Sequence, residues 1–331
     1  MITLMHTSCT QDPPRAANAH VADELHAGLD APDAWISPKF LYDALGSRLF
    51  EAICELPEYY PTRTEAAIFA RHGAEIARVA GSGTTLVDLG AGNCAKAASL
   101  FPLLAPSQYV AIDISAEFLG DALLRLRQRF PQIAMEGLGM DFSTRFELPP
   151  QVRAERRLFF YPGSSLGNFT PEEAQGFLRR LRGQCGDDGA VLIGIDLVKD
   201  KATLDAAYDD ALGVTAAFNL NALRHVNHLI GADFDVKAWR HHGFYNEARG
   251  RVEMHLEATR NQQVHWTGGG RHFAAGDRIH TENSYKYHQA DAIALLERSG
   301  FEATHVWTDP QRWFAVIHAQ AHARTQAKVV H

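Results

Sequence analysis

The feature that most limits the fold is an alternation that begins at residue 84. TTLVDLG (84–90) is a short β-type run ending in glycine, and QYVAID (108–113) is a second, ending in an acid. Helical spacing follows. Leu119, Ala122, Leu123 and Leu126 fall at i, i+3, i+4 and i+7, the stripe of a helix with one buried face. RLFFYPG (157–163) is the next clear strand. Thr170, Pro171 and Glu173 supply an N-cap, a first-turn proline and the acid of a capping box. Ala174, Phe177, Leu178 and Leu181 form the apolar stripe of the helix they open. AVLIGID (190–196) is a further strand. A helix around 290–299 stops at Gly300, and ATHVW (303–307) with WFAVIHA (313–319) predicts a hairpin. Strands alternating with helices predict an α/β fold with a mostly parallel, doubly wound sheet. The hairpin adds an antiparallel edge.

Such sheets bind ligands at the carboxyl ends of their strands. The first strand runs into VDLGAGNCAK, where Gly90 and Gly92 let the backbone turn tightly and come close to a ligand. Gly90-x-Gly92-x-x-Ala95 also fits a dinucleotide fingerprint, so the glycines alone leave the ligand open. Asp88 discriminates. A carboxylate just before the loop repels a pyrophosphate and suits a ligand with no phosphate and a cationic amino-acid end. S-adenosylmethionine (SAM) is such a molecule. Asp113, closing the second strand, can accept hydrogen bonds from both ribose hydroxyls; its plainer role is a helix cap. Asp141 and Phe142, after the region of a third strand, can bond an adenine amino group and stack on the ring.

Composition narrows the partners. The 331 residues suffice for two domains, or for one with an insertion, and carry a net charge of −7. The dense basic run RLRQRF fits a solvated helix face better than a nucleic-acid stripe. No apolar stretch reaches the roughly 18 residues of a membrane span. MITLMHTSCTQDPPRAANAH lacks the basic and apolar regions of a secretion signal, and HARTQAKVVH has the composition of a polar tail. The four cysteines form no CxxC pair, which suits free thiols in a reducing cytoplasm. Neither His225 with His228 nor His241 with His242 has a partner at a metal-site spacing, so no metal is expected. A cytoplasmic monomer acting on a small molecule, with no nucleic acid and no membrane, is the expectation.

LPEYYPTRTE (56–65) is less ordinary. Pro57 and Pro61 stiffen a turn that carries Tyr59 and Tyr60, and Thr62-x-x-Glu65 predicts a capping box opening a helix. By itself the segment fits a surface loop or a binding element equally well.

Long strings decide more. PKFLYDALGSRLF, LPEYYPTRTE, LVDLGAGN, GSSLGNFTP, DLVKDKATLDAAYDDALGVTAAFN, RVEMHLEA and TENSYKY occur in that order. From about residue 38 to 318 the chain resembles the histidine-specific SAM-dependent Nα-methyltransferases, which form hercynine at the start of ergothioneine synthesis. The resemblance implies a Rossmann-like methyltransferase domain over 63–197 and 288–331. It implies a smaller, discontinuous α+β substrate-binding domain over 1–62 and 198–287, with histidine bound between the two. The β-rich 235–285 segment fits an inserted sheet. By the same resemblance Tyr59, Asn168 and Tyr208 meet the substrate's amino-acid end, Glu282 and Ser284 grip the imidazole, and Met254 joins the substrate side. Tyr42 lines the site beside the amine and is the candidate proton acceptor. Gly90, Gly92, Lys96, Asp113, Asp141, Phe142 and Gly163 bind SAM. DLGAGNCAK replaces a more Ser/Thr-rich loop, and Tyr285 stands beside Ser284 where a smaller residue is expected.

The chemistry agrees with that assignment. Two residues apart on a strand, Glu282 and Ser284 share a face. A carboxylate accepts a ring N–H, while a hydroxyl serves the other nitrogen. Competing readings are an Nα-methyltransferase of another amino acid, a nicotinamide dehydrogenase, a macromolecule methyltransferase and a non-catalytic SAM-binding protein. Glu282 argues against an apolar ring, Asp88 against NAD, the acidic balance against RNA, and competent residues at every assigned position against a silent binder.

Overall fold

A computed structural model describes residues 14–114, 116–142 and 146–322. The expected polar tail falls almost wholly outside them, as does most of the segment searched for a signal. Packing divides the described chain into two units. One is 14–55, Tyr208–Phe244 and Glu253–Glu282; the other is Leu56–Ala207, Tyr245–Val252 and 283–322. The second unit takes in 56–62, 198–207, 245–252 and 283–287, which the sequence resemblance assigns to the substrate-binding domain. The reason is local: Tyr60 and Lys199 both bond Asp196, at the end of a strand of that unit's sheet.

The second unit is built on seven strands in the order β11-β12-β5-β4-β1-β2-β3. These are β1 (Thr85–Leu89), β2 (Gln108–Asp113), β3 (Ala134–Gly139), β4 (Arg157–Tyr161), β5 (Ala190–Asp196), β11 (Phe301–Thr308) and β12 (Phe314–Ala321). The first five run parallel, and β12 is antiparallel to both β5 and β11. The predicted hairpin is therefore the antiparallel edge. The central strands are apolar on both faces because helices cover both. On one face Val87, Val110, Phe159 and Val191 meet Phe177 and Leu181 of α6 (Pro171–Cys185) and Leu295 of α9 (Gln289–Arg298). On the other, Leu86, Tyr109, Leu158 and Leu192 meet Ile68 of α3 (Tyr60–Ala80), Leu100 of α4 (Ala95–Leu104) and Leu123 of α5 (Ala116–Arg129). The Thr170–Glu173 capping box forms in both directions.

The other unit packs α1 (Pro14–Asp30), α2 (Ala44–Cys54) and α8 (Val214–Ile230) with a β-rich insert. Its core joins Leu25 and Leu29 to Leu223 and Val226, and to Trp239, Leu256 and Ile279 of the strands. The insert comprises β6 (Trp239–Asn246), β7 (Arg251–Ala258) and β10 (Arg278–Tyr285) in the order β10-β7-β6, and a hairpin of β8 (Gln262–Trp266) and β9 (Gly269–Phe273). The chain of β6, β7 and β10 crosses the division between the units. Among the described residues, no helix is long and apolar enough to cross a membrane.

Candidate active site

The order of progress along the seven-stranded sheet reverses at β1, which has β2 on one side and β4 on the other. In open sheets of this kind, ligands bind outside the carboxyl ends of the strands at such a switch point. The loop after β1 carries two left-handed glycines, Gly90 at φ +72 and Gly92 at φ +51. An added Cβ at Gly90 would come within 4.0 Å of the Phe142 ring, while at Gly92 nothing lies within 4 Å. The loop is tied down from the next strand, where Asp113 Oδ2 accepts from Gly92 N at 2.8 Å. Gly90 N donates to the Ile112 carbonyl at 2.9 Å.

Glu65 ties this loop to the one after β4. It is buried on α3; one oxygen accepts from Lys96 Nζ and the other from Gly163 N, each at 2.8 Å. This corrects the sequence reading of Glu65 as the acid of a capping box. The helix starts at Tyr60, not at Thr62, and has no side-chain cap. Glu65 lies a full turn inside and points to these two loops instead. Gly92 with Asp113, and Lys96 with Gly163 through Glu65, are thus joined by hydrogen bonds, Gly90 lies near the Phe142 ring, and Asp141 precedes Phe142.

Asp88 lies beneath the loop, buried, with its carboxylate accepting from the Tyr109 hydroxyl at 2.7 Å. Burial pushes its pKa up to about 7, against the lowering effects of the Tyr109 hydrogen bond and Lys96. Its charge near neutrality is therefore partial, which weakens the repulsion that the sequence argument placed there.

A second buried carboxylate ends β5. Asp196 accepts from the Tyr60 hydroxyl at 2.7 Å, from Lys199 Nζ at 2.6 Å and from Lys286 Nζ at 2.8 Å. Its backbone N–H donates to Ser164 Oγ at 2.8 Å. Burial alone would raise this carboxyl; the two ammonium groups outweigh it and hold it below the ordinary range. Burial lowers Lys199 to about 8. Three candidate substrate contacts adjoin this cluster. Tyr59 precedes Tyr60. Ser164 opens the 3-10 turn Ser165–Asn168 that carries Asn168. Lys286 Nζ donates to Ser284 Oγ at 2.8 Å. Gly167 lets that turn press onto β10, since a Cβ there would stand 2.7 Å from the Tyr285 carbonyl oxygen.

In the other unit, Tyr42 sits in an aromatic group, its ring centroid 5.6 Å from Phe50 and 5.4 Å from Phe218. Asp43 beside it caps α2 and accepts from Asn221 Nδ2 at 2.7 Å. The Tyr208 carbonyl accepts from His241 Nε2 at 2.8 Å, and Asn219 Nδ2 lies 2.9 Å from His241 Nδ1. That pair of contacts fits the neutral tautomer with its proton on Nε2, and burial lowers the ring's pKa. Met254 and Glu282 are buried on β7 and β10.

A family described as "Histidine-specific methyltransferase, SAM-dependent" matches residues 21–321. The chain belongs to this family. It is 40% identical over 293 residues to the histidine N-alpha-methyltransferase of Mycolicibacterium smegmatis, covering 87% of this chain and 90% of that one. For the protein of the same name from Mycobacterium tuberculosis the figures are 37% over 293 residues, 86% and 90%. It is also 32% identical over 277 residues to ergothioneine biosynthesis protein 1 of Neurospora crassa, covering 81% of this chain but 31% of that longer protein.

The groups at the carboxyl ends of the methyltransferase's strands fit SAM. The open space at Gly92, the carboxylate of Asp113 and the ring of Phe142 suit a ligand with ribose hydroxyls and a flat base. Tyr285, the unexpected residue, packs with the sheet's core, and its hydroxyl accepts from Arg251 at 2.7 Å. Sequence reasoning missed Tyr60, Glu65, Asp196, Lys199 and Lys286. One signal was available, since Asp196 is an acid closing a core strand, the criterion that singled out Asp113.

Proposed function

We propose that this methyltransferase carries three methyl groups in succession from SAM to the α-amino nitrogen of L-histidine, giving hercynine for ergothioneine synthesis. The observation that carries this reading is the 40% identity, over 87% of the chain, to a histidine N-alpha-methyltransferase. SAM, when bound, supplies an electrophilic methyl group on a sulfonium. The chain's task is to hold a neutral amine in line with it, and such positioning can account for most of the acceleration.

The Gly90 to Lys96 loop, Asp113, Asp141, Phe142 and Gly163 hold SAM. Tyr59, Asn168 and Tyr208 hold the substrate carboxylate, and Glu282, Ser284 and Met254 the ring. In functional terms 63–197 and 288–331 serve SAM, and 1–62 and 198–287 the substrate. Tyr42 receives the amine proton and passes it on. An α-amine at a peptide terminus has a pKa of about 8, and that of a free amino acid is higher. No carboxylate is assigned to the amine, where it would favour the unreactive protonated form. Each methylation removes an N–H donor. A site of tyrosine rings and hydroxyls tolerates that loss, because ring faces accept an alkylated ammonium. The same reading takes a cytoplasmic monomer, which a single sedimenting species of one chain's mass would support.

The test is a time course with histidine and excess SAM, read by mass. Passage through mono- and dimethyl species to a trimethyl end point is expected. A stable monomethyl product, or a methyl group on the imidazole, refutes the reading. Glu282→Ala should weaken histidine turnover at low substrate concentration and leave SAM binding alone; unimpaired turnover would place the ring elsewhere.

A further inference from the structure

Ser284 is held by a neighbour on its own segment. Lys286, its side chain fully buried, has Nζ 2.8 Å from Ser284 Oγ and 2.8 Å from Asp196 Oδ2. Asp196 is gripped from elsewhere by Tyr60 and Lys199, so the ammonium between Asp196 and Ser284 has a fixed address. An ammonium has three hydrogens and no lone pair. Towards Ser284 Oγ it can only donate. A hydroxyl whose oxygen already accepts from a buried cation is polarised, and its hydrogen is the better part to offer a ligand.

We infer that Lys286, fixed by Asp196, is a positioning residue that makes Ser284 a hydrogen-bond donor and so selects the neutral imidazole, which presents a lone pair to it. The inference rests on the reading of Ser284 as a ring contact given above. A neutral imidazole has one N–H and one bare nitrogen, whereas the imidazolium has an N–H at both positions. The charged ring would turn an N–H towards an oxygen already engaged by an ammonium, and would add a like charge one hydroxyl away. Lys286 therefore sets ring specificity through Ser284, without touching the substrate.

Ring analogues test this better than activity on histidine alone. 4-Thiazolylalanine and 5-thiazolylalanine place a lone pair at one or the other imidazole nitrogen position and have no N–H; thienylalanine has neither. The wild-type enzyme should use one thiazolylalanine over thienylalanine by about tenfold or more in kcat/KM, the worth of one buried hydrogen bond to a polarised donor. Ser284→Ala and Lys286→Met should each reduce that ratio to about twofold or less, with SAM affinity unchanged. The double variant should be no worse than Ser284→Ala, because the lysine acts through the serine. Lys286→Gln, which loses the charge and keeps a similar size, stands in if Lys286→Met does not fold, and must cut the ratio at least about threefold. A preference that survives in the lysine variants, or single effects that multiply in the double variant, overturns the inference alone. If Ser284→Ala leaves kcat/KM for histidine unchanged, the reading of Ser284 falls, and the inference with it.

Discussion

Asp88 on β1 and Asp196 on β5 are equally buried, at 2% and 0% exposure, yet they titrate in opposite directions. Both lie at or near the carboxyl end of a parallel strand. Asp88 meets a neutral hydroxyl, and burial wins, lifting its pKa to about 7. Asp196 meets two ammonium groups, and they win, holding it below the ordinary carboxylate range. Burial alone therefore does not set the charge at this end of the sheet; the charge of the partner does. The consequence is a division of labour. The β1 end carries a weak, adjustable charge under the glycine loop. The β5 end carries a fixed ionic centre that joins three segments bearing candidate substrate contacts.

The largest expected effect tests that fixed centre. Asp196→Ala takes the shared carboxylate away from two buried ammonium groups, and breaking a buried pair from one side costs about 3–5 kcal/mol. Urea unfolding at pH 7 should register a loss of that order, or no folded protein. A loss below about 1 kcal/mol would remove the contrast with Asp88.

Next is the pH dependence of Asp88. Its folded pKa, about 7, lies above the ordinary carboxyl value of 3.8, so the folded state prefers the protonated form. The associated stability is complete below about pH 4 and is lost as pH rises through about 7. A gap of about 3 units corresponds to roughly 4 kcal/mol at full ionisation. Asp88→Asn cannot ionise. Its stability relative to wild type should therefore climb by a few kcal/mol between pH 5 and 8.5. A constant difference across that range would mean that Asp88 is an ordinary carboxylate.

Asp113 sharpens the comparison from a third position. It closes β2, is half-buried, and accepts from a loop amide instead of a buried side chain. Its work should be ligand binding. On the proposed assignment Asp113→Ala removes two charge-assisted contacts to the ribose, each worth about 1.5–3 kcal/mol, so SAM affinity should fall at least tenfold. Calorimetry that finds unchanged affinity in a folded variant removes the assignment.

The same three acids mark what the sequence can reveal. Strand ends and the glycine loop are local patterns, so β1, β2, β4, β5, the capped α6 and the closing hairpin were all legible, and Asp113 stood out as an acid ending a strand. The Asp196 centre was not, because its partners are remote in the chain. Tyr60 lies 136 positions away, and nothing local distinguishes it from its neighbour Tyr59. Glu65 failed for a related reason. Thr62 and Glu65 have the spacing of a capping box, but tertiary partners 31 and 98 positions away claim the carboxylate. On the substrate side Glu282, Tyr208 and Met254 carried no local signal; the resemblance alone singled them out. All three are buried, and Glu282→Ala tests the first of them.

The smallest effect isolates the partner rule with two tyrosines. Tyr109→Phe and Tyr60→Phe each delete one hydroxyl that donates to one of the two buried carboxylates. The rings should stay in place, Tyr109 against Phe101 at 4.9 Å and Tyr60 against Trp313 at 5.3 Å. Each change should cost about 1 kcal/mol at pH 5. The costs should then diverge. The Tyr109 hydrogen bond is the largest influence opposing burial at Asp88, so without it the folded pKa moves further up. At pH 8.5 the Tyr109→Phe protein must ionise a less supported carboxyl, and its deficit grows. Asp196 stays ionised whatever Tyr60 does, because Lys199 and Lys286 remain, so the Tyr60→Phe deficit should be level from pH 5 to pH 7. Paired unfolding curves across pH separate the two cases. A level deficit for Tyr109→Phe, or a growing one for Tyr60→Phe, would mean that something other than partner charge distinguishes the two strand ends.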